Sequence, residues 1–187
     1  MRNLFILAIL VFALPAHAAD WTINKTNSHL TFTGTTSGRP FKGEFKNFDG
    51  TIAFDPNHLD QSHVAITIDT KSVTTDNDDA NENIAAPKWL SSGTFPTATF
   101  KADKFEQTNS GYIAHGALTL RGVTLPVDLP FTLILRSSSA TTPTAFMKGE
   151  TTLHRLDFGL GTGTYGKADT ASLEIKVQVN LNATSAR

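Results

Sequence analysis

Beyond residue 18 the chain carries five histidines, His29, His58, His63, His115 and His154. Histidine is the side chain that most readily binds metal or moves protons near neutral pH. No two of the five stand at the i, i+4 spacing that puts a metal pair on one helix face. His29 and His115 alternate in phase against apolar neighbours, which reads as the wet face of a strand. His154 is followed by Arg155 and Asp157, a cluster able to hold a ligand head group or, in an enzyme, to supply an acid and a base. Mutual structural pairing accounts for it equally well. Asp76, Asp78 and Asp79 begin like a calcium loop, but Ala80 stands where an oxygen ligand is needed and Asn81 where the loop requires glycine. Gly161-Thr162-Gly163-Thr164-Tyr165-Gly166 has the glycine spacing of a dinucleotide loop, which works only between a strand and a helix. A strand-like segment follows it here, so a flexible glycine loop at the mouth of the fold is expected. There is no cysteine, which excludes thiol nucleophiles, disulfides and thiolate metal sites. No GxSxG is present. These residues point to no catalytic residue, no metal ligands and no cofactor.

The elements that position them read as antiparallel β. Residues 172–182 alternate strictly, with Leu173, Ile175, Val177, Val179 and Leu181 on one face and polar side chains on the other. Val64, Ile66 and Ile68 alternate likewise, as do Val127, Leu129, Phe131, Leu133 and Leu135. Leu30 with Phe32, and Ile52 with Phe54, mark two more strands; residues 112–121 and 145–153 complete the set. Pro126 and Pro130 lie in one strand, which predicts an edge, a bulge or a tight start there. Asp49-Gly50, Asn109-Ser110-Gly111 and Arg121-Gly122 read as hairpin turns, and residues 137–144 as a solvated loop. Residues 74–92 break the alternation. A short helix starting near Asp76 to Asp79 is expected, with Pro87 preventing a long one. Short strands with regular turns predict a sandwich or a closed barrel.

Composition narrows the function. A formal net charge of -1 offers no general attraction for nucleic acid. The chain has 13 phenylalanines against 2 tyrosines and 2 tryptophans, an excess of the aromatic that carries no polar handle. Together they could line an apolar cavity. Two of them, Phe5 and Phe12, lie in an apolar run from Leu4 to Leu14 that follows basic Arg2 and precedes Pro15-Ala16-His17-Ala18. This is the layout of a secretory signal peptide cleaved after Ala18, because the run is too short for a membrane span of roughly 20 residues. Residues 19–187 are then a single mature domain, exported and soluble, and the absence of cysteine suits a bacterial periplasm.

Several segments, in order, resemble the YceI-like family of periplasmic, lipocalin-like, polyisoprenoid-binding proteins. They are Phe41-Lys42-Gly43-Glu44-Phe45-Lys46-Asn47-Phe48-Asp49-Gly50, similar to the family's glycine–phenylalanine hairpin; Ile52-Ala53-Phe54-Asp55-Pro56; Ser72-Val73-Thr74-Thr75 with Trp89-Leu90 and Phe95-Pro96-Thr97-Ala98-Thr99-Phe100; Gly116-Ala117-Leu118-Thr119-Leu120-Arg121-Gly122-Val123-Thr124 with Pro126-Val127; and Arg155-Leu156-Asp157-Phe158-Gly159. The chain departs from the pattern where Ala80-Asn81 replace an Arg-Asp pair and where Thr35 and Thr36 occupy the region of a histidine. The resemblance implies an all-β, eight-stranded antiparallel lipocalin-like barrel with a short helical insertion near residues 76–90. It also implies an isoprenoid or quinone-like lipid as partner, and the Trp89 variant is similar to a branch associated with membrane cytochrome-b-type redox proteins. Alternation then assigns the lining to Phe32, Phe45, Ile52, Phe54, Ile66, Ile68, Phe100, Leu118, Leu120, Leu129, Phe131, Leu133, Phe158, Leu173, Ile175 and Val177. The alternatives are an accessory module for a membrane redox protein and an enzyme built on His154, Arg155 and Asp157. Exposed edge strands would make a homodimer natural.

Overall fold

The computed structural model describes residues 18–76, 78–138 and 141–185; the expected signal peptide, residues 1–17, lies outside them. The strands are β1 (Asp20–Ile23), β2 (His29–Thr36), β3 (Arg39–Phe45), β4 (Phe48–Ala53), β5 (His63–Asp69), β6 (Val73–Thr75), β7 (Thr97–Thr108), β8 (Gly111–Leu120), β9 (Val123–Ser138), β10 (Thr141–His154) and β11 (Glu174–Ser185). A helix, α1 (Asp78–Ile84), lies between β6 and β7, where the acidic run and Pro87 predict it. The strands form one sheet in the order β1-β4-β5-β7-β8-β9-β10-β11-β2-β3-β6, and β1 also pairs with β11.

That extra pairing closes a barrel. β1 and β2 form one stave broken at Lys25–Asn27, β3 and β4 a second broken at Lys46 and Asn47, and β5 and β6 a third broken at Thr70–Ser72. Both halves of each stave pair with the same neighbour: β2 with β3 and β1 with β4, then β3 with β6 and β4 with β5. Eight antiparallel staves result, running up and down around the barrel. Closure leaves few free edges, which is how antiparallel sheets avoid edge-to-edge association.

Polar side chains patch the breaks. The Asn24 carboxamide accepts from the N–H groups of Thr26 and Asn27 at 3.2 Å each, and the Ser28 hydroxyl donates to the Asn182 carbonyl and accepts from its N–H at 3.2 and 3.0 Å. At the third break Asp69 caps Lys71 N–H at 2.9 Å, while the Ser72 hydroxyl donates to the Asp69 carbonyl at 2.6 Å and accepts from Asn47 N–H at 3.0 Å. Such local bonds compete with the ladder and let a strand bend without orphaning its backbone.

The turns at Asn109-Ser110 and Arg121-Gly122 form as expected. Leu120 pairs with Val123 across a two-residue turn in which Arg121 and Gly122 have φ of 51° and 78°, the mirror-image geometry that suits strand twist. Two expectations are corrected. Asp49-Gly50 is not a turn: both residues lie inside β4, and β3 and β4 continue one bent stave instead of forming a hairpin. Gly50 is needed there because a Cβ would run into the Ala65 carbonyl of β5. The turn is at Ser37-Gly38, with φ of 48° and 74°, so that β2 and β3 pair from Thr36–Arg39 onward. Likewise the expected loop at 137–144 is mostly strand, since β9 runs to Ser138 and β10 starts at Thr141; residues 139 and 140 lie outside the described residues.

Two glycines make room for phenylalanine. A Cβ on Gly43 would collide with the Phe32 ring directly across the β2–β3 ladder, and one on Gly116 with the Phe100 ring. Gly43→Ala is expected to cost about 2 kcal/mol, read by urea unfolding, because Phe32 must swing further into the interior. An unchanged midpoint would show that the ring has another resting place.

Candidate functional site: two apolar chambers in the barrel

The inward faces leave space unfilled. The first chamber, of about 160 Å³, lies among Trp21, Phe48, Ile52, Phe54, Val64, Ile66, Phe100, Phe105, Leu129, Phe131 and Leu133. The second, of about 150 Å³, lies among Phe32, Phe41, Phe45, Ile84, Trp89, Leu90, Leu120, Phe158, Leu160 and Ile175. Leu30, Ile68, Leu118, Leu153 and Val177 line both, so the chambers meet at a shared waist. An apolar void of about 150 Å³ stays dry and takes up an aromatic hydrocarbon, because water there would forfeit its hydrogen bonds.

Fifteen of the sixteen residues assigned by alternation sit on these walls. Ile52, Phe54, Ile66, Phe100, Leu129, Phe131 and Leu133 line the first chamber, Phe32, Phe45, Leu120, Phe158 and Ile175 the second, and Ile68, Leu118 and Val177 both. Leu173 lines neither. It precedes β11, and its carbonyl accepts from Arg155 N–H at 3.0 Å, so the alternation of that segment starts one residue before the strand that gives it meaning. Other wall residues were not assigned, among them Trp21, Leu30, Phe48, Val64, Phe105 and Leu153. Phe105 falls out of phase because β7 carries a register shift between Ala102 and Lys104.

Each end is covered. At the first, Phe54 packs edge-on against Phe105, Tyr112 and Phe131 with centroids 5.3, 5.4 and 5.7 Å apart, and Trp21 donates its indole N–H to the Phe54 carbonyl at 3.0 Å. At the second, the segment after α1 lies against the glycine loop. Arg155, only 3% exposed, sends its guanidinium to the carbonyls of Ser172, Leu160 and Gly161 at 2.8 Å each, of Ala171 at 3.1 Å, and of Tyr165. Its cation lies 5.4 Å from the Trp89 ring. Burial pulls this guanidinium below its usual value, yet arginine holds its proton throughout the ordinary pH range. Arg121 adds bonds to the Gly159 and Pro87 carbonyls at 2.7 Å each. Gly161-to-Gly166 thus forms a clamped cover, and its glycine at 161 has φ of 62° and sits where a Cβ would strike Trp89 and Arg155.

The cluster of His154, Arg155 and Asp157 does not converge. Arg155 turns inward, Asp157 is exposed, and His154 lies 3.7 Å from Glu174 on the outer face. Three of the other histidines pair on the outer face: His29 with Glu44 and His115 with Asp128, each at 2.8 Å, and His58 with Asp55 at 3.0 Å. The hydrogen bond from His58, with that from Asn57 N–H, holds the Asp55 carboxyl below its ordinary value. A lowered folded value means that Asp55 contributes stability above the unfolded value of about 4 and loses it as pH falls through the folded one. Melting temperatures recorded from pH 7 downward should therefore fall less steeply in Asp55→Asn than in the wild type. Parallel curves would mean that this pair contributes nothing to acid sensitivity.

The sequence profile of the YceI-like domain matches residues 21–183. The chain belongs to the YceI-like family. Among curated relatives, a UPF0312 protein of Vibrio vulnificus is 32% identical over 126 residues, covering 64% of this chain and 67% of the relative. One from Yersinia enterocolitica is 34% identical over 125 residues, covering 65% of each; the chain thus spans about two thirds of their length. Among solved structures, Burkholderia cenocepacia BcnA superposes with a TM-score of 0.78 at 26% identity, covering 87% of this chain and 99% of that one. A polyisoprenoid binding domain from Saccharophagus degradans, implicated in plant cell wall breakdown, shares the fold with a TM-score of 0.67 at 18% identity, covering 91% and 100%. The eight-stave closed barrel seen here is the YceI-like fold.

Proposed function

We propose that this YceI-like protein binds an isoprenoid or quinone-like chain in its barrel, in the periplasm, without transforming it. The observation that carries the reading is the pair of adjacent apolar chambers that share Leu30, Ile68, Leu118, Leu153 and Val177. A branched hydrocarbon tail gains about 0.8 kcal/mol per buried CH₂, so two chambers in line favour a long chain over a compact ligand. The polyisoprenoid-binding neighbour of the same fold supports this reading. Protein purified without detergent from an exporting host is expected to release a prenyl lipid on solvent extraction, with the matching mass increment in native mass spectrometry. Empty protein that also fails to take up added prenyl alcohol would overturn the proposal.

The periplasmic location rests on the layout of residues 1–18. The Phe54 N–H donates to the Ala19 carbonyl at 3.0 Å, so barrel structure reaches the first residue of the expected mature chain. Intact-mass measurement should find Ala19 as the N-terminus, and a retained Met1 would remove the basis for export.

A second reading, as a module docking on a membrane redox protein or on a second copy, is favoured by one feature. The β9–β10 hairpin overshoots β8, which begins at Gly111 opposite Thr108, and it exposes Ile134 and Leu135 by 56% and 46%. Size-exclusion chromatography with detergent-solubilised cytochrome b would detect such a complex, and Ile134→Glu should abolish it.

A further inference from the structure

β9 and β10 pair only from Phe131–Gly149 outward to Ser138–Thr141. Below Gly149 they part company. Residues 123–130 pair only with β8, and residues 150–154 only with β11. Extending the register would bring Asp128 opposite Thr152 and Val127 opposite Leu153, but no such pairing forms. Pro126 and Pro130 lie in the unpaired stretch, and neither can donate to a strand laid beside it. Gly149 is at the fork, where a Cβ would come within 3.1 Å of Leu129 and of the Pro130 carbonyl.

The parting reaches side chains that also face the interior. An open cleft of about 470 Å³ runs along it. It shares Val127, Thr151 and Leu153 with the first chamber, and Leu153 and Phe158 with the second. The inward residues here, Leu125, Val127, Thr151 and Leu153, are only half-buried, whereas Leu129, beside the fork, is buried. The ends of the barrel, by contrast, are covered by the Phe54 cluster and by the Arg155 clamp. The outer rim of the cleft holds Asp128, Thr152, His154 and Asp157. It has hydrogen-bonding groups and two carboxylates, and no lysine or arginine lines it.

We propose that this seam is a side doorway. An amphiphile with an uncharged, hydrogen-bonding head enters tail first between β9 and β10, and its head remains at the rim. The tail then lies in both chambers, which the doorway meets near their shared waist at Leu153. Two carboxylates, one of them hydrogen-bonded to His115, with no lysine or arginine in the lining make the rim unfavourable for a phosphate or diphosphate, so a hydroxyl or quinone-like head is selected. The doorway rests on the tail-binding reading above and adds to it a route and a head-group class.

The lack of any native cysteine makes the test direct. Asp128→Cys with Thr152→Cys places one thiol on each lip, and a short bis-maleimide bridges them. The control bridges Thr67→Cys with Thr99→Cys, which face each other across the zipped β5–β7 ladder. Uptake of radiolabelled geranylgeraniol is followed by rapid gel filtration. Bridging the seam should slow uptake by about tenfold or more, and bridging the control pair should not. Geranylgeranyl diphosphate, with the same tail, should bind about tenfold or more weaker than the alcohol, and Asp128→Lys with Asp157→Lys should narrow that gap. Wild-type uptake through a bridged seam would overturn the doorway, and equal affinity for alcohol and diphosphate would overturn the head-group selection. If neither compound binds the unmodified protein, tail binding itself falls, which is a different result from either.

Discussion

Replacing Arg155 with methionine is expected to lower the unfolding free energy by about 4 kcal/mol. Methionine keeps much of the apolar stem, so the change isolates the loss of the guanidinium. Five carbonyl oxygens, on Leu160, Gly161, Tyr165, Ala171 and Ser172, lose their donor together. An unsatisfied buried polar group costs about 1–3 kcal/mol, and the glycine loop would relieve part of that by opening to water. Among the described residues no carboxylate pairs with Arg155, so its removal strands no opposite charge. Arg155→Lys is expected to fall between, at about 2 kcal/mol, because an ammonium has three donors and no planar fork. Urea unfolding gives the magnitude, and hydrogen exchange should show faster exchange in residues 159–172 ahead of the staves. A loss below about 1 kcal/mol in the methionine variant would show that the loop holds without its clamp.

Leu118→Trp is expected to weaken binding of a long prenyl chain by about 100-fold or more while leaving stability within about 1.5 kcal/mol of wild type. Leu118 lines both chambers, so an indole there blocks the waist by filling space that is already empty. A tail confined to one chamber loses the burial of several methylenes, each worth about 0.8 kcal/mol, and four of them account for the stated factor. The control is chain length: geraniol, short enough for one chamber, should lose much less than geranylgeraniol. Competition binding with the two alcohols measures this. Equal loss for both would mean a general disturbance of the barrel, and no loss for either would place the tail elsewhere.

How much was legible depended on what each residue faces. β11 and β5 could be read because one face is wet and the other dry, and period-two patterning reports that directly. The cavity walls followed from the same rule. β7 was hidden because the shift between Ala102 and Lys104 moves Phe105 off the phase set by Ala98 and Phe100. Gly50 was misread because a glycine serving close approach to a neighbouring strand looks the same as one serving a turn. Arg155 carried the least signal. Its partners are backbone carbonyls, which every residue possesses, so no pattern of side chains announces that a loop will gather around a cation. Pro126 and Pro130 did carry one: of the edge, bulge or tight start they allow, the structure has an edge, since residues 123–130 pair with β8 and not with β10.

The chain has two tryptophans, and they stand at opposite ends of the cavity. Trp21 lines the first chamber beside an aromatic cluster, and Trp89 lines the second with a permanent cation 5.4 Å from its ring. The two indoles therefore emit from different electrostatic surroundings, and single Trp→Phe variants separate their spectra. A tail that reaches only one chamber disturbs one emitter, and a tail that spans the waist disturbs both. The protein thus carries an unlabelled optical ruler for the length of whatever it holds.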